Sequence, residues 1–135
     1  MSMPNLTSIG TWAFLNGFGS CNSLLSIEIG TSGSLNIPSG MMADSSGDPP
    51  ATVTVLKLGD VGTIGAQAFQ NNLFIRVIDF TLNTSTPVLY DTNAFSGVSA
   101  LTCVIPDALD GTWQASGNWP TLLANNPEVT VITES

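Results

Sequence analysis

The 135 residues are enough for one domain, and 43% apolar with only 9% charged side chains excludes an intrinsically disordered chain. Ten acids against two bases give a net charge of −8, and Lys57 and Arg76 alone cannot build the basic patch that nucleic acid or an anionic membrane surface requires. No apolar run approaches the roughly 18 residues of a membrane-crossing helix, so no membrane insertion is expected.

Near its start the chain carries Ile9-Gly10-Thr11-Trp12-Ala13-Phe14, a pattern that returns as Ile64-Gly65-Ala66-Gln67-Ala68-Phe69. Looser copies are Ile37-Pro38-Ser39-Gly40-Met41-Met42 and Tyr90-Asp91-Thr92-Asn93-Ala94-Phe95. The large apolar residue closing each copy stands at 14, 42, 69 and 95, in steps of 28, 27 and 26 residues. A period in the twenties predicts a repeat solenoid, mainly β with short helical or irregular turns. It places about four coils at residues 5–30, 34–59, 61–81 and 86–106 within a solenoid over 1–106, followed by a C-terminal cap over 107–135.

One short strand is expected per coil, at 26–29, 55–58, 77–80 and 102–105. Alternation turns Ile27 and Ile29, Leu56 and Leu58, Ile78 and Phe80, and Cys103 and Ile105 inward. Two further inward columns are expected, one of Ile9, Ile37, Ile64 and Tyr90, the other of Phe14, Met42, Phe69 and Phe95. The outward strand column then reads Glu28, Lys57, Asp79 and Val104, with the lysine between two carboxylates about 4.8 Å apart per strand step. Such a row is either a solvated stripe, each exposed pair contributing at most about 1 kcal/mol, or a polar recognition face.

Turn lengths vary. The first two coils carry insertions at 15–23 and 43–52, rich in Gly, Ser, Asn or Pro, which suit surface loops on a binding edge. Beyond Pro106, Asp107 is expected to cap a short helix over 108–115, Trp119-Pro120 to turn the chain, 121–124 to form a helical turn, and 129–132 a last strand. Trp113 and Trp119 lie in this segment and suit an aromatic cover over an end coil, with a tryptophan-lined sugar site as the rival reading. The N-terminal end shows no such cover, so a larger parent chain or a docked subunit is expected there. Trp12 supports that expectation, because its counterparts Gly40, Gln67 and Asn93 are small or polar and place it at the surface.

Catalytic chemistry has few parts to draw on. There is no histidine, hence no usual general base and none of the commonest metal ligand. Cys21 and Cys103 fall three coils apart, roughly 15 Å by strand spacing, too far for a disulfide, and read as free buried thiols. Asp107 and Asp110 form no convincing hydrolase pair, and the 44–48 loop lacks the later glutamate of a calcium loop. No catalytic residue, metal or cofactor is therefore assigned. The candidate partner-binding residues are Trp12, Phe18, Glu28, Asp44, Asp48, Lys57 and Asp79.

The pattern Ile-Gly-x-x-Ala-Phe followed by Cys21-Asn22-Ser23-Leu24-Leu25-Ser26-Ile27-Glu28-Ile29 resembles the BspA-type leucine-rich repeat. The best match covers residues 5–29 and a good one 61–80, while Asn93-Ala94-Phe95-Ser96-Gly97 and Gly117-Asn118-Trp119 look like the terminal repeat and cap of such proteins. The resemblance implies a leucine-rich-repeat stack of about four coils with a helix-containing cap. It also implies a non-catalytic recognition or adhesion role on a bacterial cell surface or a phage virion, binding protein or glycan. No secretion signal is visible at the N-terminus, and a virion assembled inside its host would need none. The alternative is a virion decoration or assembly subunit that docks on other subunits, or on its own kind as a homo-oligomer, through the N-terminal end.

Overall fold

Branched and apolar residues at alternate positions make five of the seven strands bury one side. The computed structural model describes residues 1–10, 25–43 and 54–135. Within them lie β1 (Ser2–Met3), β2 (Ser26–Ile37), β3 (Val55–Ile64), β4 (Val77–Asp79), β5 (Val88–Leu89), β6 (Leu101–Pro106) and β7 (Val129–Glu134). They form one open sheet in the order β1-β2-β3-β4-β6-β7, with β5 beside β3, and every pairing is parallel. After β6 come a 3₁₀ turn at Asp107–Leu109 and two short helices, α1 (Thr112–Ala115) and α2 (Trp119–Asn125).

This α/β-like architecture overturns the expected leucine-rich-repeat solenoid of about four coils. Two long strands, of 12 and 10 residues, replace the four-residue strands expected near 26–29 and 55–58. The segment read as a terminal cap contributes both helices and a seventh strand to the same sheet. A spacing in the twenties also suits a parallel strand with its return crossover, because parallel neighbours cannot be joined by a tight turn. Periodicity alone therefore does not separate the two architectures.

The inward alternation holds, with Ile27, Ile29, Leu56, Leu58, Ile78, Phe80, Cys103 and Ile105 fully buried. The second inward column needs correction at its end. Ile37 and Ile64 are register partners and buried, but the partner of Ile64 on β5 is Leu89. Tyr90, one residue on, is 66% exposed. A slip of one position turns a side chain to the opposite face. Ile9 is only half-buried. In the third column Met42, Phe69 and Phe95 are buried, while Phe14 lies outside the described residues.

The crossovers pack against the inner face and bond to one another. Met42 N–H donates to Ala68 O at 2.7 Å, Phe69 N–H to Ala94 O at 2.8 Å, and Asn71 N–H to Ser96 O at 2.8 Å. Buried amides satisfy what these turns leave open. Asn72 Nδ2 donates to Met42 O, and its Oδ1 accepts from the backbone amides of Phe74 and Ile75. Asn83 exchanges two hydrogen bonds with the backbone of Val61.

Aromatic rings link the crossovers to the C-terminal helices. Phe69 stacks on Phe95 with centroids 5.3 Å apart and planes within 8°. Phe95 meets Trp119 at 6.1 Å, Trp119 meets Trp113 at 5.3 Å, and Trp113 meets Phe80 at 5.2 Å. Each pair contributes about 0.5–1.5 kcal/mol beyond the area it buries. Trp113 and Trp119 are 0% and 1% exposed, so they lie within the core of the sheet rather than over an end coil, and offer no ring face to a sugar.

The helical segment differs in detail from its expected form. Asp107 is exposed and makes no capping bond, and the expected single helix splits into the 3₁₀ turn and α1. The free amide ahead of α1, that of Gly111, is bonded instead by Gln114 Oε1 at 3.1 Å. Trp119-Pro120 starts α2 rather than turning the chain, since proline fits a first helical turn whose amides lack partners anyway.

Where the β2–β3 register shifts between Ile29 and Ser34, the backbone leaves no room for a side chain at Gly59. A Cβ on Gly59 would strike the carbonyl oxygens of Gly30 and Gly33. Gly59→Ala should therefore destabilise the fold by about 1–3 kcal/mol, read as a lowered urea midpoint. Gly33→Ala, whose added Cβ meets nothing within 4 Å, should stay within about 0.5 kcal/mol of the parent.

Candidate functional site

Of the seven sequence-predicted site residues, Trp12, Phe18, Asp44 and Asp48 lie outside the described residues, as do the 15–23 loop and 44–52 of the other. Glu28, Lys57 and Asp79 are described, and the structure brings them together. Glu28 pairs in register with Lys57 across β2 and β3, and Lys57 with Asp79 across β3 and β4. All three are half-exposed. Both carboxylates are engaged by hydroxyls: Glu28 Oε2 accepts from Ser2 Oγ at 3.4 Å, and Asp79 Oδ1 from Thr81 Oγ1 at 2.6 Å and Thr81 N–H at 2.8 Å. The Asp79 bonds form a local turn that fixes where its strand ends.

The row stops earlier than expected. Val104 continues it in register but is only 8% exposed, because β7 lies beside β6 and sets Ile132 next to it. The parallel row two residues back reads Val55, Val77 and Thr102, all half-exposed. With the exposed Ser26 at its start, that row is two valines between two hydroxyl side chains, so the outer face is an acid–base–acid line beside a mixed one, on strands held at a fixed spacing of about 4.8 Å.

A second feature has no counterpart in the expected site. At the far end of β2 and β3 a cleft of about 330 Å³ is lined by Thr7, Asn36, Ser39, Thr63 and the exposed Tyr90, among others. A neighbouring hollow of about 170 Å³ shares Thr7 and Asn36 with it and adds Asp60. Asp60 accepts from Thr84 Oγ1 at 2.8 Å and from Thr84 N–H at 3.1 Å. Sequence reasoning misses this cleft because it turns Tyr90 inward; the signal available is the apolar Leu89 preceding it, which fits the inward position equally well.

Among the described residues, no group of three or more His, Cys, Asp or Glu side chains is placed to hold a metal, and no helix is long and apolar enough to cross a membrane. Asp107 and Asp110 are both exposed. Comparison with family models, with curated proteins and with solved structures finds no match.

Cys103 is free and fully buried, and Cys21 lies outside the described residues. Burial pushes the Cys103 thiol from an ordinary 9.0 up to about 12, so it stays protonated and unreactive while the chain is folded. Above pH 9 the unfolded chain releases this proton and the folded chain keeps it, so the unfolded state binds fewer protons and stability falls as pH rises. Denaturant midpoints should drop between pH 9 and about 12, and more steeply in the parent than in Cys103→Ala, which starts lower but lacks the titrating group.

Proposed function

We propose that this chain is a non-catalytic recognition or adhesion module, displayed on a phage virion or a bacterial cell surface, that binds a protein or glycan. The observation carrying this reading is the half-exposed row of Glu28, Lys57 and Asp79 set in register on a single sheet. Parallel sheets usually have both faces covered by their crossovers. Here the face opposite the core keeps charged and apolar side chains within reach of a partner. Positions fixed by strand pairing need little ordering on binding, which lowers the entropic cost of association.

The test is attachment of the purified, fluorescently tagged full chain to a panel of bacterial cells, followed by titration. Lys57→Glu makes the row uniformly acidic and should weaken attachment about tenfold, since like charges at a contact raise the cost of association. Because three adjacent carboxylates repel across the strands, Lys57→Gln serves beside it: it removes the charge without adding a like one, should weaken attachment in the same direction, and should keep stability in urea within about 0.5 kcal/mol of the parent. A parent chain that attaches to none of the cells would refute the reading.

A further inference from the structure

We infer that the cleft beside Tyr90 is a binding site for a neutral saccharide, with the tyrosine ring as the platform on which a sugar ring lies. The inference rests on the recognition reading above and names a ligand class for a surface that the Glu28–Lys57–Asp79 row does not reach.

Its geometry follows from the strand register. Ile37, Ile64 and Leu89 form one buried rung across β2, β3 and β5. The next residue on each strand is Pro38, Gly65 and Tyr90, and all three line the cleft. Gly65 N–H donates to Ile37 O at 2.7 Å and Tyr90 N–H to Ile64 O at 3.1 Å, so the rung is held by backbone. A Cβ on Gly65 would strike the backbone at Pro38 and Ser39, so glycine is required at the centre of the rung and lets that backbone pack against it as the floor of the cleft.

The lining selects the ligand. Thr7, Ser8, Ser39 and Thr63 supply hydroxyls and Asn36 an amide, groups that both donate and accept and so match the hydroxyls of a sugar. An exposed aromatic face packs against the C–H groups of a pyranose ring while its own hydroxyl stays wet. Among the described residues, neither cleft nor adjoining hollow is lined by a cation, and the one charged group is the Asp60 carboxylate. That excludes an anionic sugar and leaves an acceptor for a neutral one. At about 330 Å³ the cleft lies at the small end of ligand sites, and the hollow sharing Thr7 and Asn36 extends it for a second sugar unit.

An extended peptide is the less suited occupant. Peptides that add to a sheet need free backbone groups at its edge. On β5 the carbonyl of Leu89 is taken by Asn118 Nδ2 at 2.9 Å, and just ahead of the strand the carbonyl of Pro87 by Trp119 Nε1 at 3.0 Å.

The experiment applies the full chain to an array of neutral and anionic oligosaccharides, with Tyr90→Ala, Tyr90→Phe and Asn36→Ala alongside, and repeats the cell-attachment assay with each. Expected are binding to neutral glycans in preference to anionic ones, an approximately tenfold loss in Tyr90→Ala, and near-parent binding in Tyr90→Phe. Asn36→Ala should also weaken binding, and the best neutral glycan, added free, should compete with cell attachment. The exposure of Tyr90 and Asn36 lets both alanine variants fold, which an unchanged urea midpoint verifies. If the parent attaches to cells but the array is empty, or binding is unchanged in Tyr90→Ala, the saccharide site is refuted while the recognition role stands. Binding only to anionic glycans, or to a protein or peptide fraction of the cell surface, refutes it equally. A parent that binds neither cells nor glycans refutes both.

Discussion

The continuous contact of five aromatic rings, from Phe69 through Phe95, Trp119 and Trp113 to Phe80, is the constraint the rest of the structure depends on. A sheet with only parallel pairs has no hairpins to hold its strands, so something must fix the crossovers against its face. The rings do this from both directions. Phe69 and Phe95 sit in successive crossovers, Phe80 follows β4, and the tryptophans arrive from the helices between β6 and β7. Because Trp119 also bonds to the carbonyl of Pro87, the helical segment is tied to β5 as well as to the core.

That tie has a functional side. Asn118 bonds the carbonyl of Leu89 and Trp119 that of Pro87, so the segment leading to Tyr90 is held on both sides by the C-terminal helices. The charged row on β2–β4 and the uncharged cleft at the ends of β2, β3 and β5 are consequently two surfaces on one rigid frame. They differ in chemistry more than in architecture. One offers fixed charges beside valines, the other hydroxyls, an amide and a phenol.

Much of the strand content was legible from residue order. Branched residues at Ile27 and Ile29, Leu56 and Leu58, and Ile78 and Phe80 could only be buried by alternation, and that also fixed Glu28, Lys57 and Asp79 as neighbours on the outer side. The architecture was not legible, because a spacing of 26–28 residues is shared by stacked coils and by parallel strands with their crossovers. The length of β2 was hidden too. Its middle, Thr31-Ser32-Gly33-Ser34, contains no large apolar side chain and reads as a turn, yet the pairing of Ser34 with Asp60 carries it into the sheet. Tyr90 was misplaced for a simpler reason: Leu89 and Tyr90 are both large and apolar, and only backbone register decides which one faces in. Val104 looked exposed because the strand that flanks it, β7, was read as part of a separate cover.

The all-parallel pairing also governs how the chain must reach its folded form. Ser26 meets Val55, Val55 meets Val77, Val77 meets Thr102, and Thr102 meets Thr130, so sheet partners stand 29, 22, 25 and 28 residues apart. No two strands can zip together from a local turn. Each ladder requires a loop of more than twenty residues to close before its first bond forms, and the entropy of that closure is repaid only late. Folding should consequently be slow and cooperative for a chain of this size.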